Sequence, residues 1–126
     1  MNRISKFLLL TTALTGLLAA DANAADAPAK LTIKEIMKKG HKGDDAMSKH
    51  VTQGKGTQEE IKQLLGYYRV LATLEPKKGD LTEWKTRTAK LVKAAESLDK
   101  SEPGALDGFK AAVNCKACHD AHKEKN

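Results

Sequence analysis

Two Thr–Glu pairs with three-residue spacing, Thr32–Glu35 and Thr57–Glu60, each open a stretch whose apolar residues recur in three- and four-residue steps. In such a box the hydroxyl accepts the amide three residues on, and the carboxylate reaches back to the amide of the cap. After the first box Ile33, Ile36, Met37, Met47 and Val51 share one helical face, with Gly40 between them. After the second, Ile61, Leu64, Leu65, Tyr68, Leu71 and Ala72 form a 3-4 stripe. Glu75–Pro76–Lys77–Lys78–Gly79 reads as a turn. Asp80 then caps a third helix, with Glu83 in its first turn and Trp84, Thr88, Leu91, Ala95 and Leu98 along its inner side. Ser101–Glu102–Pro103–Gly104 precedes a fourth, whose inner face holds Leu106, Phe109, Ala112 and Val113. No segment alternates with period two, and there is no internal repeat. The expected fold is all-α, and the short connections imply an antiparallel up-down four-helix bundle. Gly40 and Gly43 are the weak points, since each costs about 1 kcal/mol relative to alanine inside a helix. Either the first helix breaks there or something approaches its backbone closely.

Residues 1–24 stand apart from this pattern. Arg3 and Lys6 give a positive start, Phe7–Leu8–Leu9–Leu10 to Leu17–Leu18–Ala19–Ala20 an apolar stretch, and Ala22–Asn23–Ala24 a small-residue cleavage site. The competing reading is a retained anchor, but Thr11, Thr12, Thr15 and Gly16 make the run short and mild for a span of about 20 apolar residues. A signal peptide cleaved after Ala24 is expected, leaving residues 25–126 as one periplasmic domain with no membrane span. Only 4% of the 126 residues are aromatic. With Phe7 removed, Tyr67, Tyr68, Trp84 and Phe109 serve the whole domain, so a further apolar body in the core is expected. A net charge of +6 suits an acidic protein partner. No basic cluster is interleaved with aromatic residues, so nucleic acid is not an expected partner.

Near the end the chain reads Cys115–Lys116–Ala117–Cys118–His119. This C-x-x-C-H spacing is the signature of covalent haem attachment. The thiols lie one helical turn apart, so both can add to the vinyl groups of one porphyrin, and His119 reaches the iron as proximal ligand. Two other readings exist. A redox disulfide lacks the strand–turn–helix context of thioredoxin-like sites. A zinc site could draw on Cys115, Cys118, His119 and His122, but structural zinc usually joins two separated ligand pairs. One haem c is the expected cofactor.

With the motif on the last of four helices, residues 25–126 resemble the class II cytochromes c, the cytochrome c′ family. That family follows the motif with an aromatic and then a basic residue, three and four places after the histidine. Here His122 takes the aromatic position, a departure, and Lys123 the basic one, which implies that Lys123 lies near His119 and tunes it. The resemblance also implies that the first helix faces the distal side of the iron. Low-spin members carry R-x-x-x-M-K there. Ile33–Lys34–Glu35–Ile36–Met37–Lys38 matches in Met37 and Lys38 but has Ile33 for the arginine, so Lys34 or another lysine is left to meet the propionates. Met37 is thus the expected sixth ligand. His41 competes, only about 40° around the helix from Met37, and an empty distal position covered by Met37 is the third option. Gly40 would let the porphyrin edge approach. Met47 is expected in the core, His50 and His122 at the surface, and Phe109 against the haem.

These expectations describe an exported monohaem electron carrier that is not an enzyme, acting on redox partner proteins. The chain offers no paired carboxylates in a cleft and no nucleophile beside a base. The rival expectation is a five-coordinate protein that binds CO or NO, or scavenges NO, as several family members are thought to. A third is a structural metal-binding bundle. Family members often dimerise through their first two helices, which leaves a homodimer open here.

Overall fold

The computed structural model describes residues 30–125, so the expected leader, residues 1–24, lies outside the described residues. Those residues form six helical segments, five of them eight residues or longer, and contain no strand. The described residues are thus all-helical. In chain order they are α1 (Ile33–Gly40), α2 (Met47–Thr52), α3 (Gln58–Thr73), α4 (Leu81–Asp99), α5 (Ala105–Ala112) and α6 (Cys115–His122). Among the described residues no helix is long and apolar enough to cross a membrane.

Both capping boxes form. Thr32 Oγ1 accepts the Glu35 amide at 3.2 Å while Glu35 accepts the Thr32 amide at 2.8 Å. Thr57 and Glu60 make the same exchange at 3.1 and 2.9 Å. Asp80 caps α4 by accepting the Glu83 amide at 2.8 Å. Such caps supply partners for amides that the helix itself leaves unpaired, each contributing about 1 kcal/mol.

Two expected helices are divided. The first stops at Gly40 and resumes at Met47, with Gly43 at φ +95° in the turn between. Gly40 itself is buried against α3: a Cβ there would meet Leu64 Cδ2 at 3.2 Å and Tyr67 Cδ2 at 3.5 Å. The close approach that this glycine permits is therefore to a neighbouring helix. The expected fourth helix is divided at Val113 and Asn114, both outside helical geometry, and Asn114 recaps the chain by accepting the Ala117 amide at 3.0 Å. A short polar side chain that bonds local amides favours a new helix start over continuation of the old one.

Helices α3 and α4 form the frame. Gln58 reaches Asp99 at one end and the Trp84 indole donates to the Leu74 carbonyl at 2.8 Å near the other, so the two run antiparallel. The broken segments pack on this hairpin, α1 and α2 against α3, α5 and α6 against α4. The core joins Ile36, Val51, Leu64, Leu65, Tyr68, Leu71, Trp84, Ala95 and Phe109. Tyr68 and Phe109 are wholly buried, with ring centroids 6.3 Å apart. A ring-poor chain has placed its rings at the centre, where each buries the most area.

His50, expected at the surface, is partly exposed and ties the α1–α2 region to α3. Its Nδ1 lies 2.8 Å from Glu60 and its Nε2 2.9 Å from Asp45. The Glu60 hydrogen bond is the largest effect and raises the imidazole; burial, next in size, opposes it, and the Asp45 bond with the charges of both carboxylates leaves the imidazole above its usual value. The His50 bond in turn lowers Glu60. A raised histidine contributes stability that is complete below its unfolded value of about 6.5 and is lost as pH rises through the folded value. His50→Gln should therefore lower the melting temperature clearly at about pH 6 and much less at about pH 9. An equal loss at both pH values would refute the clamp.

Candidate functional site

The C-x-x-C-H motif occupies α6, which starts at Cys115 because Asn114 caps it. Both thiols are free, Cys115 exposed and Cys118 half-buried. Burial pushes the Cys118 thiol up, and the nearby Arg87 guanidinium on α4 partly opposes this. Arg87 is itself paired with Glu83 through an Nε bond of 2.9 Å. His119 is exposed on the wall of a depression of about 480 Å³, which it shares with Lys78, Asp120, Lys123 and others. Lys123 caps the helix by donating its amide to the His119 carbonyl at 2.9 Å. It thus stands one helical turn from the histidine.

His122 anchors this helix, and the expectation that it lies at the surface is corrected: it is only 6% exposed. Its ring meets Trp84 edge-on, with centroids 5.3 Å apart, and its Nδ1 donates to the Lys78 carbonyl at 3.2 Å. The Lys78 ammonium donates to the Asp120 carbonyl at 3.1 Å. Gly79, at φ +90°, lies so close that a Cβ would fall on the Ala121 carbonyl oxygen and within 2.5 Å of His122 Nδ1. The turn between α3 and α4 therefore holds the C-terminal end of α6. Sequence reasoning missed this seat; its only traces were Gly79 in the turn and a ring-bearing residue at 122.

His41 is the C-cap of α1. Its ring lies 5.7 Å from that of Tyr68, tilted by 39°. His41 Nε2 and the Tyr68 hydroxyl are both buried without a hydrogen-bond partner among the described residues. Burial lowers the His41 value, and the His119 charge adds to the effect. Burial likewise raises Tyr68, with the Cys115 thiol as a second cause. His41 at the end of α1, Tyr68 on α3 and Phe109 on α5 thus stand ring to ring, with the charges of His119 and Cys115 on α6 acting on the first two. Met37 lies one turn before His41, half-buried against the core. The residue of α1 on which His119 acts is His41.

These groups suit a covalently held haem. Two free thiols one turn apart precede an exposed imidazole, and nearby stand a buried imidazole nitrogen and a hydroxyl with no partner among the described residues. A buried polar atom without a partner is costly, and such an atom often marks a ligand position. The zinc arrangement fits less well, because His122 is turned to Trp84 and Lys78. No set of three or more His, Cys, Asp or Glu side chains among the described residues is placed to hold a bare metal ion. No protein-family model, curated protein or solved structure matches the chain.

Proposed function

We propose that the chain is an exported monohaem c-type cytochrome that carries electrons, similar to the class II cytochromes c. The observation that carries the reading is the motif on α6: free Cys115 and Cys118 thiols one turn apart, with His119 next to the second. In this reading α1 with α2, and α5 with α6, each count as one interrupted helix of a four-helix bundle around the α3–α4 hairpin. Residues 1–24 direct export and are removed, and the haem is joined outside the cytoplasm. Cys115 and Cys118 hold the porphyrin, His119 the iron, and Lys123 acts on His119 from the next turn. The resemblance assigns the sixth position to Met37. Haem, when bound, supplies one-electron redox chemistry. The chain supplies attachment, orientation and an exposed edge, and the net positive charge that remains once residues 1–24 are removed favours an acidic redox partner.

The test is expression in a host with haem c maturation, followed by the intact mass. A single species heavier by one haem and shortened by residues 1–24 is expected. Cys115→Ser/Cys118→Ser should lose covalent haem entirely. An unmodified chain with both cysteines present overturns the reading. The ferric spectrum then separates carrier from gas-binding protein: low-spin iron indifferent to CO after reduction supports transfer. High-spin iron that takes CO or NO supports the rival.

A further inference from the structure

We infer that His41, and not Met37, is the second protein ligand of the iron, so that the haem is held between two imidazoles. This rests on the proposed haem attachment and departs from the methionine that the resemblance suggests.

Three observations meet at His41. Its Nε2 is buried yet has no hydrogen-bond partner among the described residues, a state it shares with His122 Nε2, whose ring is already engaged by Trp84 and the Lys78 carbonyl. A neutral imidazole with one nitrogen left over is a haem-iron ligand in waiting, because the lone pair is directed and the ring cannot easily be solvated where it lies. Next, the ring is held in place. Gly40 lets α1 close on α3, where a Cβ would press on Leu64 Cδ2 at 3.2 Å, and this sets the following residue, His41, beside the Tyr68 ring at 5.7 Å. A glycine that weakens a helix on its own terms thus positions a ligand. Finally, the charges that act on this ring pair belong to the motif: the Cys115 thiol adds to the upward push on Tyr68, and the His119 charge to the downward push on His41.

Met37 has a different setting. Its side chain packs against the buried cluster that includes Ile36 and Leu64, and its carbonyl accepts the His41 amide at 3.0 Å, closing the last turn of α1. A thioether fills irregular apolar space well, and that role accounts for Met37 without a metal. The arginine missing from the R-x-x-x-M-K pattern at Ile33 agrees, since the pattern is then incomplete at its arginine end.

Two imidazoles close both axial positions, which leaves no site for CO or NO and lowers the reduction potential relative to a His/Met pair. The protein would then serve the reducing end of a carrier chain.

The test uses the holoprotein and needs no activity. Its ferric form should be low-spin and lack the sulfur-to-iron charge-transfer band. Met37→Leu should leave the spectrum and the potential unchanged. His41→Ala should turn the iron high-spin and open it to CO, and added imidazole should restore the low-spin spectrum. His41→Met, which keeps a ligand and a filled volume, should gain the sulfur band and a higher potential. A sulfur band in the native protein that disappears in Met37→Leu would overturn the assignment, as would native high-spin iron that binds CO. A native chain with no covalent haem would instead remove the cytochrome reading itself, and the intact mass tells that outcome from the others.

Discussion

Gly79→Ala is expected to release the Cys115–His122 helix from its seat. Two costs combine. Gly79 sits at φ +90°, where an L side chain is strained by about 1–2 kcal/mol. The new methyl group would also fall on the Ala121 carbonyl oxygen and within 2.5 Å of His122 Nδ1. Neither neighbour is the end of a flexible chain, so one body must move. The body with fewer ties is α6, held here by the His122–Trp84 contact and the bonds to Lys78. A total loss of about 3 kcal/mol is expected, which in a domain of this size lowers the melting temperature by roughly 10 °C or more. Gly43→Ala is the control. Gly43 has φ +95° but nothing within 4 Å of its would-be Cβ, so it should bear the conformational cost alone. Hydrogen exchange should show residues 115–122 unprotected in Gly79→Ala and protected in Gly43→Ala. Equal losses in the two variants would show that the seat contributes nothing.

What the sequence revealed follows the range of the interactions involved. The caps at Thr32, Thr57 and Asp80 were legible because each joins residues three apart. The stripes were legible for the same reason: Leu64, Leu65, Tyr68 and Leu71 are all buried, as their spacing required. Gly40 and Gly43 marked a possible break, and the break is there. Asn114 also carried a local signal, since asparagine is a favoured N-cap. It was masked by apolar residues on both sides that continued the helical step. His122 is a different case. Set among Asp120, Lys123, Glu124 and Lys125, it has every local mark of a solvated residue, and it is buried by Trp84 and Lys78 from another part of the chain. His41 is similar, as its surroundings come from Tyr68 on α3 and the motif on α6. The proposed chemistry of the site rests on five consecutive residues, Cys115 to His119. Its other wall was not legible in the sequence, because that wall is assembled by tertiary contacts.

Phe109→Ala should cause the largest loss of stability of any single truncation, about 3–5 kcal/mol in a domain whose total is about 5–15 kcal/mol. The side chain is 0% exposed and packs against Tyr68, which is equally buried. It also joins α5 to the core formed by α3 and α4. Two roles for this ring can be separated. From sequence it was expected against the haem; in the structure it lies at the buried Tyr68 ring, while the Tyr68 hydroxyl has no partner among the described residues. If Phe109 acts through Tyr68, removing it loosens that ring and with it His41, which Tyr68 faces at 5.7 Å. If the chain carries haem as proposed, urea unfolding of the holoprotein should then show the loss of stability together with a fraction of high-spin iron that grows with temperature. Phe109→Leu, which keeps most of the volume, should recover more than half of the stability and restore the low-spin spectrum. A Phe109→Ala protein of native stability would place the ring outside the core. Full loss of stability with an unaltered low-spin spectrum up to the melting transition would confine it to packing and cut the link from Phe109 through Tyr68 to the iron.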